Sequence, residues 1–431
     1  MKWLTAPHVW FPAVVLVLAG AGSGLLSSER CVYLSERDRT AYGERPAWQA
    51  GFDALSATCG VGLLTYRLDQ DYTPAGRWVL AGLGMSGAIV FLVAARQLAA
   101  RLWPMALDRL PATRLILAAF LIGQALAVVI IVGVERLGGS QSSVNSAWNA
   151  VALFSSLGWL RPPANFGHTW IYAVVALAGA LGWPLWLVSS RRKSVLLVAA
   201  GYLMFLLASA GLIAALEVPR GKPHGQSEPG NRLAAQPAHA RYGRALTLAT
   251  CTACAGVTTE QLDDRGVGEG SKLVLAGLVL VGGVGGNPGG GLTWSLLLCL
   301  LATSFVRPRP RPEMRPDVPS CGLFATAYAQ FLLGLTLIVV LGLLLIESRS
   351  GAAFQAPPTL GDAVLEAASA VGGAGLSSGL TTAVTSFRLS SGIRQNVDLY
   401  QYGMTWLMLA MFLGRVLPVL VGAYFARRQA A

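Results

Sequence analysis

The chain has 431 residues, of which 54% are hydrophobic and only 13% are charged. Charged residues make up about 25% of an ordinary soluble domain, so this composition excludes a typical soluble fold. The net charge of +12 could suit a nucleic-acid ligand, but the basic residues are concentrated in short segments between apolar stretches. That distribution argues against nucleic-acid binding and indicates a membrane protein.

Apolar stretches that approach or exceed the ~20 residues needed to cross a bilayer recur along the chain. They include Phe11–Leu26, Leu115–Val134, Trp170–Val188, Val195–Leu216, Phe324–Ile346 and Thr405–Tyr424. The first stretch follows Lys2 but lacks a polar break and a clear cleavage site, so we expect a retained helix and not a signal peptide.

The loops between these stretches differ in charge. If successive loops alternate sides, one side receives the N-terminus and the segments 96–114, 191–193, 307–317 and 427–428. This side carries 14 Lys+Arg and 3 Asp+Glu, whereas the other side carries 18 of each. Short basic loops remain in the cytoplasm. We therefore expect a multi-pass protein of the cytoplasmic (inner) membrane, embedded in the lipid bilayer, with both termini in the cytoplasm.

Four segments of similar texture lie between the apolar stretches. Each begins with a polar or acidic residue, is crowded with small residues, and ends nine positions later in a glycine followed by an apolar residue. They are Asp53–Gly62, Asn149–Gly158, Thr247–Gly256 and Glu366–Gly375. The four glycines are 96, 98 and 119 residues apart, so one repeated unit takes about a quarter of the chain.

These repeats predict an all-α membrane protein made of four pseudo-repeated helix–pore loop–helix units around one central pore, with about eight spanning helices. The predicted units are residues 1–98, 99–190, 191–306 and 307–431, and the second helix of the third unit is broken. Irregular backbone at membrane depth is stable only where it is buried in protein or lines water. Rings of backbone carbonyls in such loops can replace the water shell of a cation, and glycine permits the necessary dihedral angles. A single such stretch would more simply be a helix-packing motif.

Two other groups of residues have simpler interpretations. Cys251 and Cys254 form a lone CxxC without a second pair, which predicts packed small residues and not a metal or redox site. Asp53, Asp362 and Glu366 are predicted at the starts of short helices, where a carboxylate can cap free N–H groups.

Three segments are similar to a known family. Phe52–Leu63, followed by Tyr72-Thr73-Pro74, resembles its first pore loop and the start of the next helix. Ala363–Ser377 resembles its fourth pore loop, and Met411–Pro418 resembles its final helix, where a Gly-Arg pair precedes proline. The family is the Trk/Ktr/HKT superfamily of potassium transporters, and the likeness extends loosely over nearly the whole chain. It implies potassium uptake through a pore-forming subunit similar to TrkH and KtrB.

The resemblance implies a selectivity filter in which potassium binds to backbone carbonyls. The implied filter residues are Thr58, Cys59, Gly60, Val61, Gly62, Ser156, Leu157, Gly158, Cys254, Ala255, Gly256, Gly373, Ala374 and Gly375. In this family a serine in place of the first filter glycine accompanies sodium transport, so Gly62 favours potassium.

The resemblance also implies a gate below the filter. A glycine-rich intramembrane loop is expected where Gly282–Gly291 interrupts the third unit, because so much glycine, with a proline, cannot form a plain helix. The implied gate residues are Gly285, Gly286, Asn287, Pro288, Gly289, Gly290 and Arg415. Loops of the family commonly carry a lysine and several threonines, which this loop lacks. A flexible kink without a gating role is therefore the alternative.

The partners are implied by the resemblance alone: a second copy of the chain, and a cytosolic nucleotide-binding regulatory subunit of the RCK type. The chain has no dinucleotide-binding fingerprint of its own. We therefore expect no cofactor in this chain, only K⁺ as the transported ion, and no enzyme activity. The alternatives are a secondary transporter of another small solute, for which inverted repeats would be typical, and a degenerate subunit that has lost conduction.

Overall fold

A computed structural model of the chain describes most of its length. The described residues are 6–33, 47–66, 68, 71–102, 112–138, 143–158, 166–181, 192–218, 233, 236–260, 262, 267–284, 291–305, 317–350, 359–378 and 397–430. Within them the chain forms thirteen helices. These are α1 (Pro7–Leu26), α2 (Ala47–Cys59), α3 (Pro74–Leu102), α4 (Thr113–Leu137), α5 (Ser143–Phe154), α6 (Phe166–Ala180), α7 (Arg192–Leu216), α8 (Ala238–Ala255), α9 (Glu269–Val281), α10 (Trp294–Phe305), α11 (Asp317–Ser350), α12 (Leu360–Gly372) and α13 (Val397–Ala430).

Six of these helices are long and apolar enough to cross a membrane, namely α1, α3, α4, α7, α11 and α13. The other two predicted spans correspond to α6, which has 15 residues, and to the pair α9 and α10, which is interrupted between Val281 and Trp294. The all-α membrane architecture predicted from the sequence is confirmed, and the chain is a multi-pass membrane protein.

The long helices expose many large apolar side chains on their outer faces. On α4, for example, Ile122 is 59% exposed and Val129 is 70% exposed, whereas Gln124 and Glu135 are buried. Such a pattern would be unfavourable in water, because contiguous apolar surface is rare on soluble monomers. In a bilayer it is the expected arrangement, since lipid solvates the apolar face and the protein interior satisfies the polar groups.

The helices form a closed ring of four groups in chain order. Each group consists of one of the short helices α2, α5, α8 and α12 together with the helices that precede and follow it in the chain. The first group contacts the second through α3 and α5, and the second contacts the third through α6 and α8. The third contacts the fourth through α9 and α12, and the fourth returns to the first through α13 with α3 and α2. The short helices therefore face a common centre.

Candidate functional site

All four short helices end in a turn at the centre of the ring, and each turn contains a residue in the left-handed region. These residues are Gly60, Ser156, Gly256 and Gly373, with φ of 69°, 56°, 66° and 69°. A left-handed residue stops a helix and redirects the chain. Ser156 is the non-glycine among them, and its hydroxyl donates a hydrogen bond of 2.8 Å to the carbonyl oxygen of Cys254. That bond offsets part of the ~1–2 kcal/mol that this conformation costs a side-chain residue.

The third loop differs from the other three. In the first, second and fourth loops the left-handed residue lies two positions before the glycine predicted to line the filter. In the third loop Gly256, the predicted filter glycine, is itself the left-handed residue that ends α8. Gly256 therefore occupies the place in its turn that Gly60, Ser156 and Gly373 occupy in theirs, two positions earlier than the sequence repeat predicts. The four-fold repetition of the loops is approximate.

The four predicted filter glycines come together. A Cβ added at Gly62 would lie 2.8 Å from the Cα of Gly158 and would overlap the carbonyl oxygen of Leu157. One added at Gly256 would lie 3.0 Å from the backbone nitrogen of Gly375, and one added at Gly375 would lie 2.6 Å from the Cα of Gly158. No side chain fits at these positions without displacing backbone. The four glycines are therefore close neighbours at the centre of the ring.

Neighbouring loops are also joined by hydrogen bonds. The N–H of Gly158 donates to the carbonyl oxygen of Ala255 at 3.2 Å, and the N–H of Gly375 donates to that of Gly256 at 3.1 Å. The second and fourth loops, which lie opposite each other in the ring, are in direct backbone contact at Gly158 and Gly375. In this conformation the loops close on one another at the level of the glycines.

The other predicted filter residues are part of the same buried layer. The buried side chains among them are those of Thr58, Cys59, Val61, Leu157, Cys254 and Ala374, with Ala255. The Thr58 hydroxyl donates to the carbonyl oxygen of Ala54 at 2.8 Å, within its own helix. These side chains are therefore enclosed by the surrounding protein.

Two buried carboxylates hold the chain that leaves the loops. Asp53 accepts hydrogen bonds from the N–H of Thr65 at 2.7 Å, from the Thr65 hydroxyl at 2.8 Å and from the Tyr72 hydroxyl. Glu366 accepts from the Ser377 hydroxyl at 2.9 Å and from the N–H of Ser378 at 3.2 Å. Each acid lies six positions after the first residue of its helix, so the prediction that Asp53 and Glu366 begin their helices is wrong. Their role is to fix the segment that follows the glycine, at the equivalent position in two units.

Asp362 does cap a helix, as the sequence predicted. It forms a capping box with Thr359, whose hydroxyl accepts from the Asp362 N–H while the carboxylate accepts from the Thr359 N–H at 3.1 Å. The carboxylate has a second partner that the sequence did not reveal. Lys272 of α9 is fully buried and places its Nζ 2.7 Å from Asp362 and 3.0 Å from Glu269. Glu269 in turn accepts from the N–H of Gly361 at 3.0 Å. The first turn of α12 is therefore held against α9.

Three glycines on the second helices of the units form a further repeated feature, which the sequence analysis missed. They are Gly87, Gly179 and Gly414, and a Cβ at each would run into a backbone carbonyl of the neighbouring short helix. The carbonyls belong to Thr58, Phe154 and Val371, each four positions before its predicted filter glycine. Glycine at these crossings lets the outer helix press against the end of the short helix. The number of residues between the predicted filter glycine and the glycine on the following helix differs among the units, so the sequence alone does not reveal this repeat.

Arg415 is 4% exposed and lies deep inside the ring, as expected from its place in an apolar helix. Its guanidinium carbon lies 3.9 Å from the centroid of the Phe91 ring, a cation–π contact. The same guanidinium approaches Gly60, where an added Cβ would lie 3.7 Å from a terminal nitrogen. The positive charge therefore lies beside the first predicted filter loop.

The predicted gate residues Gly285, Gly286, Asn287, Pro288, Gly289 and Gly290 lie outside the described residues. The flanks of this segment are described and are joined to each other. The backbone N–H of Trp294 donates to the carbonyl oxygen of Gly283 at 2.8 Å, and the backbone N–H of Leu292 donates to that of Leu280 at 2.6 Å. The Tyr202 hydroxyl donates to the carbonyl oxygen of Gly282 at 3.2 Å. These bonds satisfy backbone groups that the helix break leaves free.

Cys251 and Cys254 are buried free thiols in α8. The Sγ of Cys254 lies 3.5 Å from the Tyr202 hydroxyl. Within the described part of the chain, no group of three or more His, Cys, Asp or Glu residues could hold a metal ion.

Comparison with known proteins finds a solved structure with a similar fold. No protein-family model and no curated protein matches the sequence. Among the solved structures similar to the chain is the crystal structure of the potassium transporter TrkH from Vibrio parahaemolyticus, with a TM-score of 0.62 and 17% sequence identity. The match covers 96% of this chain and 84% of that one. The match shows that the chain has the same fold as the TrkH structure, and this is the fold that the resemblance implied.

Proposed function

We propose that the chain takes up potassium, or a similar monovalent cation, through a selectivity filter formed by its four central loops. The observation that carries this proposal is that Gly62, Gly158, Gly256 and Gly375 meet at the centre of a closed ring of four units. A dehydrated cation needs several oxygen ligands, and backbone carbonyls supply them without a fixed charge. The four short helices also end at this centre, and the partly negative C-terminal end of a helix favours a cation.

The proposed pathway continues past the filter to the segment 285–290 and Arg415, which would act as a gate. Support comes from the helix break between Val281 and Trp294 and from the position of Arg415 beside Gly60. A glycine-rich segment can exchange between conformations at small free-energy cost. We further propose that the chain lies in the cytoplasmic membrane with both termini inside, acts as a homodimer, and binds an RCK-type regulatory subunit. The charge split and the resemblance support these points.

The direct test is ⁸⁶Rb⁺ flux into vesicles that contain the purified chain. We expect uptake that unlabelled K⁺ suppresses more strongly than Na⁺ does. Uptake of a small organic solute without Rb⁺ flux would instead indicate a secondary transporter, and the pore proposal would be wrong.

Selectivity is tested at Gly62. A serine there must displace the carbonyl of Leu157, because its Cβ would overlap that oxygen, and the backbone has a φ of +84°. We expect Gly62→Ser to change the K⁺/Na⁺ preference by about fivefold or more, equivalent to about 1 kcal/mol. Gly82→Ser is the matched control, since Gly82 lies in the following helix with open space around it. Unchanged selectivity in a well-expressed Gly62→Ser variant would remove Gly62 from the filter.

One observation favours a second candidate, a subunit that does not conduct. Gly158 and Gly375 touch across the centre, and their loops are hydrogen-bonded to Ala255 and Gly256. Conduction requires these loops to separate. Absence of Rb⁺ flux in folded protein, both in the wild type and after deletion within 285–290, would support a non-conducting subunit.

A further inference from the structure

Two arginine side chains and a histidine side chain meet at one end of the helix ring. His8 lies in the first turn of α1, Arg101 in the last turn of α3 and Arg427 near the end of α13. A terminal nitrogen of Arg427 lies 2.6 Å from the Nε2 of His8. Arg101 is close enough for its charge to act on the same imidazole. We call these three residues the basic cluster.

The packing of the helices brings the cluster together. Near the end of α3, Leu98 fits against Gly422 of α13, where an added Cβ would lie 2.7 Å from a Leu98 methyl carbon. At the start of α1, the indole N–H of Trp10 donates to the Oε1 of Gln97 at 3.2 Å. These contacts lie within about one and a half turns of the cluster and hold the three helix ends together.

The cluster lies at the level of the lipid headgroups. α1, α3 and α13 are all spanning helices, and the cluster occupies their ends on one side. Arg101 and Arg427 are exposed. Tyr424, one turn inside Arg427, is 54% exposed. Exposed tyrosine on a spanning helix is typical of the membrane–water interface. The outward surface beside the cluster therefore faces lipid.

The beginning of α1 adds a partial positive charge. The helix starts with Pro7, which has no N–H, and the N–H of Val9 donates to the carbonyl oxygen of Ala6 at 2.9 Å. This helix end therefore acts on an anion mainly through the positive end of the helix dipole. An anion placed beside His8 would interact favourably with this helix end as well as with the two guanidinium groups.

We propose that the basic cluster binds the phosphate of an anionic phospholipid headgroup. Guanidinium groups bind phosphate oxygens through paired hydrogen bonds, and basic pockets between spanning helices recognise anionic headgroups. The bound lipid would bridge α1, α3 and α13, which belong to the first and fourth groups of the ring. It would therefore stabilise the junction that closes the ring. This site does not depend on whether the chain conducts ions.

The test uses the full chain in vesicles of phosphatidylcholine, with and without phosphatidylglycerol, and follows thermal unfolding. Native mass spectrometry of the detergent-solubilised protein then measures retained phosphatidylglycerol. We expect phosphatidylglycerol to raise the unfolding temperature of the wild type. Each of Arg101→Gln and Arg427→Gln should weaken its binding about fivefold, as expected from the contribution of one basic residue near an anionic surface.

Arg114→Gln is the matched control, because Arg114 is an exposed arginine at the start of α4 and belongs to another part of the ring. An equal loss of binding in this variant would indicate general surface charge and would overturn the proposal. Inorganic phosphate added to phosphatidylcholine vesicles separates the two sources of phosphate. Protection by inorganic phosphate with none from phosphatidylglycerol would assign the cluster to a free anion and contradict a lipid site. Arg427→Lys, which keeps the charge, should retain more lipid than Arg427→Gln.

Discussion

Removal of the buried charge at Lys272 gives a sharp test of how α12 is held. Lys272 is buried, and its Nζ lies 2.7 Å from Asp362 and 3.0 Å from Glu269. Lys272→Met retains the length and apolar stem of the side chain but leaves the carboxylates without their cation. Removing one partner of a buried pair costs about 3–5 kcal/mol. The Asp362 carboxylate keeps its bonds to Thr359, so we expect the lower end of this range, about 3 kcal/mol.

The second variant in this test removes Lys272 and Asp362 together and leaves Glu269, whose side chain is 46% exposed and so can be hydrated. Asn at position 362 can still accept from the Thr359 N–H, because asparagine is a good helix cap. Replacement of a whole buried pair is often nearly neutral. Lys272→Met/Asp362→Asn should therefore recover most of the lost stability. Unfolding by denaturant in mixed micelles, followed by tryptophan fluorescence, measures both free energies. If the double variant is no more stable than Lys272→Met, the pair does not hold α12 as we argue.

The same clamp has a predictable dependence on pH. Burial acts to raise the pKa of Asp362, but hydrogen bonds from Lys272 and Thr359 outweigh it and bring the pKa below its ordinary value of 3.8. A carboxyl with a lowered pKa contributes stability above its unfolded pKa and loses it as the pH falls through the folded pKa. The difference between wild type and Lys272→Met should thus be full at neutral pH and shrink below pH 3.8. A difference that grows in acid would contradict the ion pair.

The remaining predictions concern topology, gating and packing. A cysteine introduced at Gln226 should react with an impermeant reagent from outside, and one at Pro310 should not; the reverse pattern would overturn the topology. Deletion within 285–290, or Arg415→Ala, should raise Rb⁺ flux, because each removes a barrier, whereas equal losses of flux in folded protein would indicate support of the pore. Gly414→Ala should destabilise the fold by about 1–3 kcal/mol through overpacking against the short helix, and unchanged thermal stability would refute that contact.

The central loops leave a repeated mark in the sequence because all four meet the same constraint. Backbone crowded at the axis excludes a side chain, so a glycine after a run of small residues marks each loop, as at Gly62 and Gly158. The partners of buried charges are not local. Asp362 is 90 positions from Lys272, so the capping function was predictable from neighbouring residues and the ion pair was not.

The roles of the acids inside the short helices were mispredicted for a different reason. Asp53 and Glu366 were predicted as caps because acids are common at helix starts, but α2 begins at Ala47 and α12 begins at Leu360. Their real partners, Thr65 and Ser378, both lie twelve positions later, after the loop has turned back. A sequence pattern that pairs an acid with a donor at this spacing, across a glycine, would have found both.

Helix α9 connects the two parts of the proposed pathway. Its first turn is clamped to α12 by Lys272, and near its other end Val279 packs against Gly372, where a Cβ would lie 2.8 Å from a Val279 methyl carbon. α12 leads directly into the loop of Gly375, and α9 leads directly into the segment 285–290. The two helices are held together at both ends. If one helix moves, the other must therefore move with it, or one of these contacts must break. Opening of the proposed gate and the geometry of the fourth filter loop should therefore be coupled. If the two are coupled, Lys272→Met should shift the K⁺/Na⁺ selectivity even though the sequence of the segment 285–290 is unaltered.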